Sequence, residues 1–134
     1  MRATCLLLCL GLILGFSASP SAGLVAADKV DIRSVVANRL PVMLQFGKSW
    51  CPRCQSTKTI LDNSARAYAG RALIVPVDVD VNKDLVRDFR IRLIPTQIFL
   101  SPDGREFFRH EGVLQERQIA EILSRIGLER VEVR

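Results

Sequence analysis

The sequence predicts one α/β domain, a central mixed four-stranded sheet flanked by helices in the order αβαβαββα. Three observations carry this. Pro41 to Phe46 is a short, mostly apolar run closed by Gly47, the mark of a strand buried on both faces. Runs of this kind alternate with segments whose apolar residues recur three and four apart, a pattern that implies parallel strands joined by crossover helices. Ser101-Pro102-Asp103-Gly104 is instead a tight turn, with proline early and glycine at its end, so the last two strands pair as an antiparallel edge.

The chain of 134 residues is long enough for one domain and not two. At its start, Arg2 precedes an apolar run through Leu6–Leu8, Leu10, Leu12–Leu14 and Phe16, and small residues follow as far as Ala27. This order reads as a secretory signal peptide over residues 1–27, with cleavage after Ala27 expected and Ala22 or Ala26 as alternatives. The run is short for a membrane span, and an uncleaved anchor is the competing reading. Cys9 is a poor lipidation site because bulky Leu8 precedes it. Either reading sends the rest of the chain, a domain over 28–127 and a tail over 128–134, out of the cytoplasm to a periplasmic or secreted location.

Within the domain, Ile32, Val35 and Val36 mark a first helix over about 28–39, and Pro41–Phe46 the first strand. A second helix, about 52–69, places Ile60, Leu61, Ala65 and Tyr68 on one face and ends at Gly70. Ala72–Val77 is the second strand. Asn82 is suited to cap a short helix that buries Leu85, Val86 and Phe89. Ile98–Leu100 belongs to the third strand and Arg105–His110 to the fourth. Ile119, Ile122, Leu123 and Ile126 form the apolar stripe of a last helix, closed by Gly127. The tail, with Val131-Glu132-Val133, has no assignment.

Composition excludes several functions. The net charge of +5 is spread over interleaved basic and acidic residues with no dense patch, which argues against nucleic acid. Of the 4 cysteines, Cys5 and Cys9 leave with the leader. The two that remain cannot staple a small domain. A zinc site needs about four ligands, and the mature chain offers Cys51, Cys54 and His110. No metal and no cofactor are expected beyond a Cys51–Cys54 disulfide, and His110 reads as an exposed strand residue.

Cys51 and Cys54 stand where a buried strand meets a helix. A thiol at a helix N-terminus faces unpaired N–H groups and the positive end of the dipole, which favour the thiolate. The thiolate is the species that attacks disulfides. Pro52 suits the first helical turn, and Arg53 adds positive charge. Cys54, one turn on, can reach back to displace a partner from Cys51. The spacing therefore supplies a nucleophile and a resolving thiol.

Phe46-Gly47-Lys48-Ser49-Trp50-Cys51-Pro52-Arg53-Cys54 resembles the active-site segment of the thioredoxin family, and Ile91-Arg92-Leu93-Ile94-Pro95-Thr96 resembles its cis-proline loop. Gly112 resembles the glycine beside the family's substrate groove. The likeness covers about residues 28–127 and implies the thioredoxin fold, a cis Pro95, and a client peptide that pairs with the backbone of Ile94. It also implies that Trp50 shields the sulfurs and lines the groove. Two departures stand out. Many thioredoxins bury an Asp six residues before the first cysteine and pair it with a Lys; here those positions are Gln45 and Pro76. Glutamine cannot take a proton at neutral pH, so proton handling at Cys54 is expected to fall to water or to Lys48.

The resemblance implies a monomeric protein-disulfide oxidoreductase acting on protein thiols and disulfides. Cys-Pro-Arg-Cys is similar to the Cys-Pro-x-Cys of glutaredoxins and to the Cys-Pro-His-Cys of periplasmic oxidases. Ile94 before the proline, and the absence of the large helical insertion of those oxidases, resemble reducing thioredoxins. The expectation is a reductase of exported proteins, fed by a membrane thiol-electron transporter of the cytochrome-biogenesis type. Alternatives are a periplasmic oxidase or isomerase, and a thiol-based chaperone or metallochaperone.

Overall fold

Asp31 opens the first helix, α1 (Ile32–Ala37): its carboxylate accepts from the Arg33 N–H and from the Ser34 hydroxyl. The computed structural model of the chain describes residues 29–130. The expected leader, 1–27, and the end of the tail lie outside them. α1 is shorter than the 28–39 expected and buries no residue completely; Ile32, Val35 and Val36 pack on the sheet as its outer cover.

The strand β1 (Val42–Gly47) is buried along its whole length. It leads into α2 (Pro52–Gln55) and α3 (Lys58–Ala67). The sequence suggested one helix here, and its apolar period does run across both pieces. The ladder is interrupted because the Thr57 hydroxyl and N–H both turn back to the Cys54 carbonyl. The fully buried line on α3 is Leu61, Ser64 and Ala67, with Ile60 and Ala65 at its margins. Gly70 follows with φ of 72°, a conformation that suits glycine.

Next come β2 (Leu73–Asp78), α4 (Lys83–Asp88), β3 (Thr96–Leu100), β4 (Glu106–Glu111) and α5 (Glu116–Ser124). The sheet order is β2-β1-β3-β4. β1 and β2 are parallel, as the alternation implied. β3 is antiparallel to β1, which the alternation did not imply: α4 is only six residues long, and the chain from Arg90 to Pro95 brings β3 back in the opposite sense. β3 and β4 form the expected hairpin, closed by the Gly104 N–H donating to the Ser101 carbonyl at 2.8 Å. Pro76 is tolerated because β2 is an edge strand.

Asn82 begins α4 but makes no capping hydrogen bond. It is completely buried instead, accepting from the Val30 N–H at 2.7 Å and donating to the Asp78 carbonyl at 3.0 Å, so it ties the segment before α1 to the β2–α4 turn. Leu85 is buried; Val86 and Phe89 are partly covered. Two apolar clusters fill the two faces of the sheet. One gathers Met43, Phe99 and Tyr68 with α3 and α5; the other gathers Leu44, Phe46 and Ile98 under α1 and α4. The Phe99 ring meets Phe107 and Phe108 edge-on at 6.1 and 5.8 Å. The start of the tail is docked: Leu128 packs on the first cluster, Arg71 donates to the Glu129 carbonyl, and Arg130 pairs with Glu116. Residues 131–134 lie outside the described residues.

Candidate functional site

Cys51 and Cys54 form a disulfide, with their Cα atoms 5.2 Å apart. The geometry follows from local sequence. β1 ends at Gly47, the chain turns so that the Cys51 N–H donates to the Lys48 carbonyl, and Pro52 starts the helix with Cys51 as its N-cap. The Cys51 sulfur accepts from the Cys54 N–H at 3.3 Å. The sulfur therefore sits where the first backbone donors of the helix point, an environment that favours a thiolate once the pair is reduced. Cys51 keeps 8% of its surface exposed and Cys54 is half-buried.

Trp50 is 66% exposed. The Lys48 ammonium lies 3.7 Å from the centre of its ring and pairs with Asp80. The Gln55 amide donates to the Ser49 carbonyl and closes the loop that carries Trp50. Arg53 is exposed beside the pair.

The Ile94–Pro95 peptide bond is cis. Because Thr96 is the register partner of Phe46, Pro95 comes at the same end of the sheet as Gly47 and the turn into Cys51. The Thr96 hydroxyl donates to the Leu93 carbonyl at 2.7 Å, and the Gly112 N–H donates to the Pro95 carbonyl at 2.8 Å. Gly112 has φ of 115°, which suits glycine. Pro95 is buried, Ile94 half-buried, and Leu93 beside them 44% exposed. The sheet thus gathers Trp50, the cysteine pair, Ile94, Pro95 and Gly112 at one end. His110 is not exposed as expected; it is partly covered, with its Nε2 close to Gly112.

Beneath the disulfide, Gln45 and Pro76 face each other as register partners. Gln45 is 4% exposed, and its Oε1 accepts from the Gln97 amide at 2.8 Å. Both residues line a cavity of about 270 Å³ that Cys54 also borders. Sequence reasoning missed Gln97. A glutamine in the apolar strand Thr96–Leu100 was the available signal. Among the described residues, no group of three or more His, Cys, Asp and Glu is arranged to hold a metal. No helix among them is long and apolar enough to cross a membrane.

Residues 29–127 match the family model described as a thioredoxin-like domain. The chain is 33% identical over 98 residues to a thioredoxin of Haemophilus influenzae, an alignment covering 72% of this chain and 91% of that protein. It is 31% identical over 97 residues to the thioredoxin-like protein CITRX2, chloroplastic, of Nicotiana benthamiana, spanning about half (54%) of that longer relative and 70% of this chain. Among solved structures it is similar to chloroplastic thioredoxin z, with 27% identity and a TM-score of 0.65 over 78% of this chain and 97% of that one. A mutant thioredoxin of Halobacterium salinarum, at 22% identity and a TM-score of 0.67, covers 76% of this chain and 88% of its own, and shares the fold.

Proposed function

The chain belongs to the thioredoxin-like family, and from that premise we propose that it reduces disulfides of exported proteins through a Cys51–Cys54 dithiol. The observation that carries the reading is the Cys51 sulfur at the N-cap of a helix, accepting from the N–H of its own partner cysteine. The reduced pair then attacks with Cys51: its thiolate bonds to one client sulfur, and the other client sulfur leaves as a thiolate. Cys54, deprotonated, attacks the Cys51 sulfur. The Cys51–Cys54 bond forms, the bond to the client breaks, and the client leaves reduced by two electrons as the pair is oxidised. Ile94 offers its backbone to an extended client peptide, Gly112 lies beside that groove without a side chain to obstruct it, and Trp50 and Leu93 offer apolar surface.

Export through residues 1–27 belongs to the same proposal. It rests on the basic, apolar and small-residue order of the leader. Outside the cytoplasm, electrons must come through a membrane, so the proposed donor is a membrane thiol-electron transporter. A monomer suffices for the chemistry, since both thiols belong to one chain. Pro52 and Arg53 favour a second reading, a disulfide oxidase or isomerase, because positive charge near the pair stabilises its reduced form.

The dithiol–disulfide potential of the purified protein decides between them. A value near thioredoxin's, about −270 mV, supports the reductase, and a value near about −120 mV supports the oxidase. Stoichiometric Cu(I) binding without reduction of insulin disulfides would overturn both in favour of a metal-carrying module. Recovery of the protein in the periplasm or medium, shortened at its N-terminus, tests the export.

A further inference from the structure

Past the last register pair of the hairpin, Thr96 and Glu111, the chain leaves β4 at Gly112 and reaches α5 at Glu116. Two hydrogen bonds hold it as it leaves. The Gly112 N–H donates to the Pro95 carbonyl at 2.8 Å, and the Gly112 carbonyl accepts from the Gln97 amide at 3.0 Å. Gly112 has φ of 115° and no side chain of its own to anchor its peptide.

Gln97 reaches this peptide from inside the sheet. Its register partners are Gln45 on β1 and His110 on β4, so the three residues form a polar row across one face. The next row on that face is Met43, Phe99 and Phe108, and it is apolar. A backbone carbonyl can only accept, so Gln97 presents its NH2 group to Gly112. The same group donates to Gln45 Oε1 at 2.8 Å. Gln97 is 1% exposed, and its Oε1 has no hydrogen-bond partner. Burying such an atom is costly. The neighbouring row shows that apolar side chains fill this face, so packing alone does not call for an amide here. What the amide adds is its hold on Gly112.

We propose that Gln97 is a positioning residue for client binding: its amide draws the Gly112 peptide in against the sheet and keeps that wall of the client groove fixed. The inference rests on the exchange reading proposed above, in which a client pairs with the Ile94 backbone and Gly112 stands beside the groove. Without the amide, Gly112 keeps its bond to Pro95, but its carbonyl is released and its peptide is free to rotate. That freedom is then lost each time a client is seated, which weakens binding. The two sulfurs and the helix that holds them are untouched, so a small disulfide that needs no groove is attacked as before.

The test uses the full chain, reduced beforehand and freed of excess dithiol, mixed with insulin or with the small aromatic disulfide DTNB. In Gln97→Leu the half-saturating insulin concentration should rise about three- to tenfold with little change in the limiting rate. The rate with DTNB should stay where it was. Exchange of the Gly112 amide hydrogen, read by NMR, should quicken in the same variant. Should Gln97→Leu fail to fold, the Gln45→Leu/Gln97→Leu double variant, which swaps the amide pair for an apolar pair, should show the same rise for insulin and the same faster exchange. An unchanged half-saturating insulin concentration, an equal loss with insulin and DTNB, or an unchanged Gly112 exchange rate overturns the proposal. Failure of the unaltered chain to reduce either disulfide would sink the exchange reading itself, and this proposal with it.

Discussion

Gln45 and Pro76 lie side by side in the parallel ladder of β1 and β2, where the family's acid–base pair would stand. Neither can take or give a proton at neutral pH. Gln45→Asp would place a carboxyl in a buried site with no cation opposite, and desolvation would raise its pKa toward neutrality. Insulin-disulfide turnover should then rise, by less than the about 100-fold of a well-placed general base, and its pH profile should gain an ionisation. An unchanged rate and profile would show that proton removal from Cys54 is not a slow step.

The two sulfurs should differ in kind. Cys54→Ser should accumulate a mixed disulfide between Cys51 and a client, resolvable by added dithiol and visible by mass. Cys51→Ser should abolish turnover. In the reduced protein, Cys51 should be alkylated faster at pH 7 than free cysteine, whose pKa is about 8.5. Equal rates, with no trapped adduct, would contradict the proposed roles.

Much of this arrangement is legible in the sequence, and the remainder is missing for a physical reason. Periodicity and turn residues found every strand, because they report local burial. The sense of β3 against β1 was lost, since no residue between Arg90 and Pro95 encodes direction by itself. The break at Thr57 was lost because the apolar period continues through it. Asn82 looks like a cap, yet the partner it accepts from, Val30, is 52 residues away. Gln97 was overlooked for the same reason: both its partners lie on other segments.

Gly104 should tolerate no side chain. Its φ is 82°, and an added Cβ would come within 2.7 Å of Val36 Cγ1 on α1. Gly104→Ala should destabilise the domain by about 1–3 kcal/mol, from backbone strain and displaced packing together. Chemical denaturation measures this directly, and a loss below about 0.5 kcal/mol would contradict it.

Acid should weaken the tie between α3, α5 and the start of the tail. The Asn63 amide, and then Arg130, hold the Glu116 carboxyl below the ordinary carboxylate range. A carboxyl whose pKa falls on folding stabilises the fold fully above its unfolded value, about 4.3, and that contribution is lost as pH drops through the folded value. Glu116→Gln should lower stability slightly near pH 7 and make it less pH-dependent between about pH 5 and pH 3. Denaturant titrations at those pH values check this; equally steep curves for both proteins would reject the assignment.

The bare backbone at Gly47 has a consequence for anyone re-tuning the domain. A built Cβ there falls 3.2 Å from the Cys54 sulfur and 3.3 Å from its Cβ, so the strand's end acts as a spacer gauge for the thiol. One methyl at that point would oblige Cys54 to give by a few tenths of an ångström while leaving both sulfurs chemically intact. Redox behaviour could thus be altered by thickening the floor under the pair, without changing the motif between the cysteines.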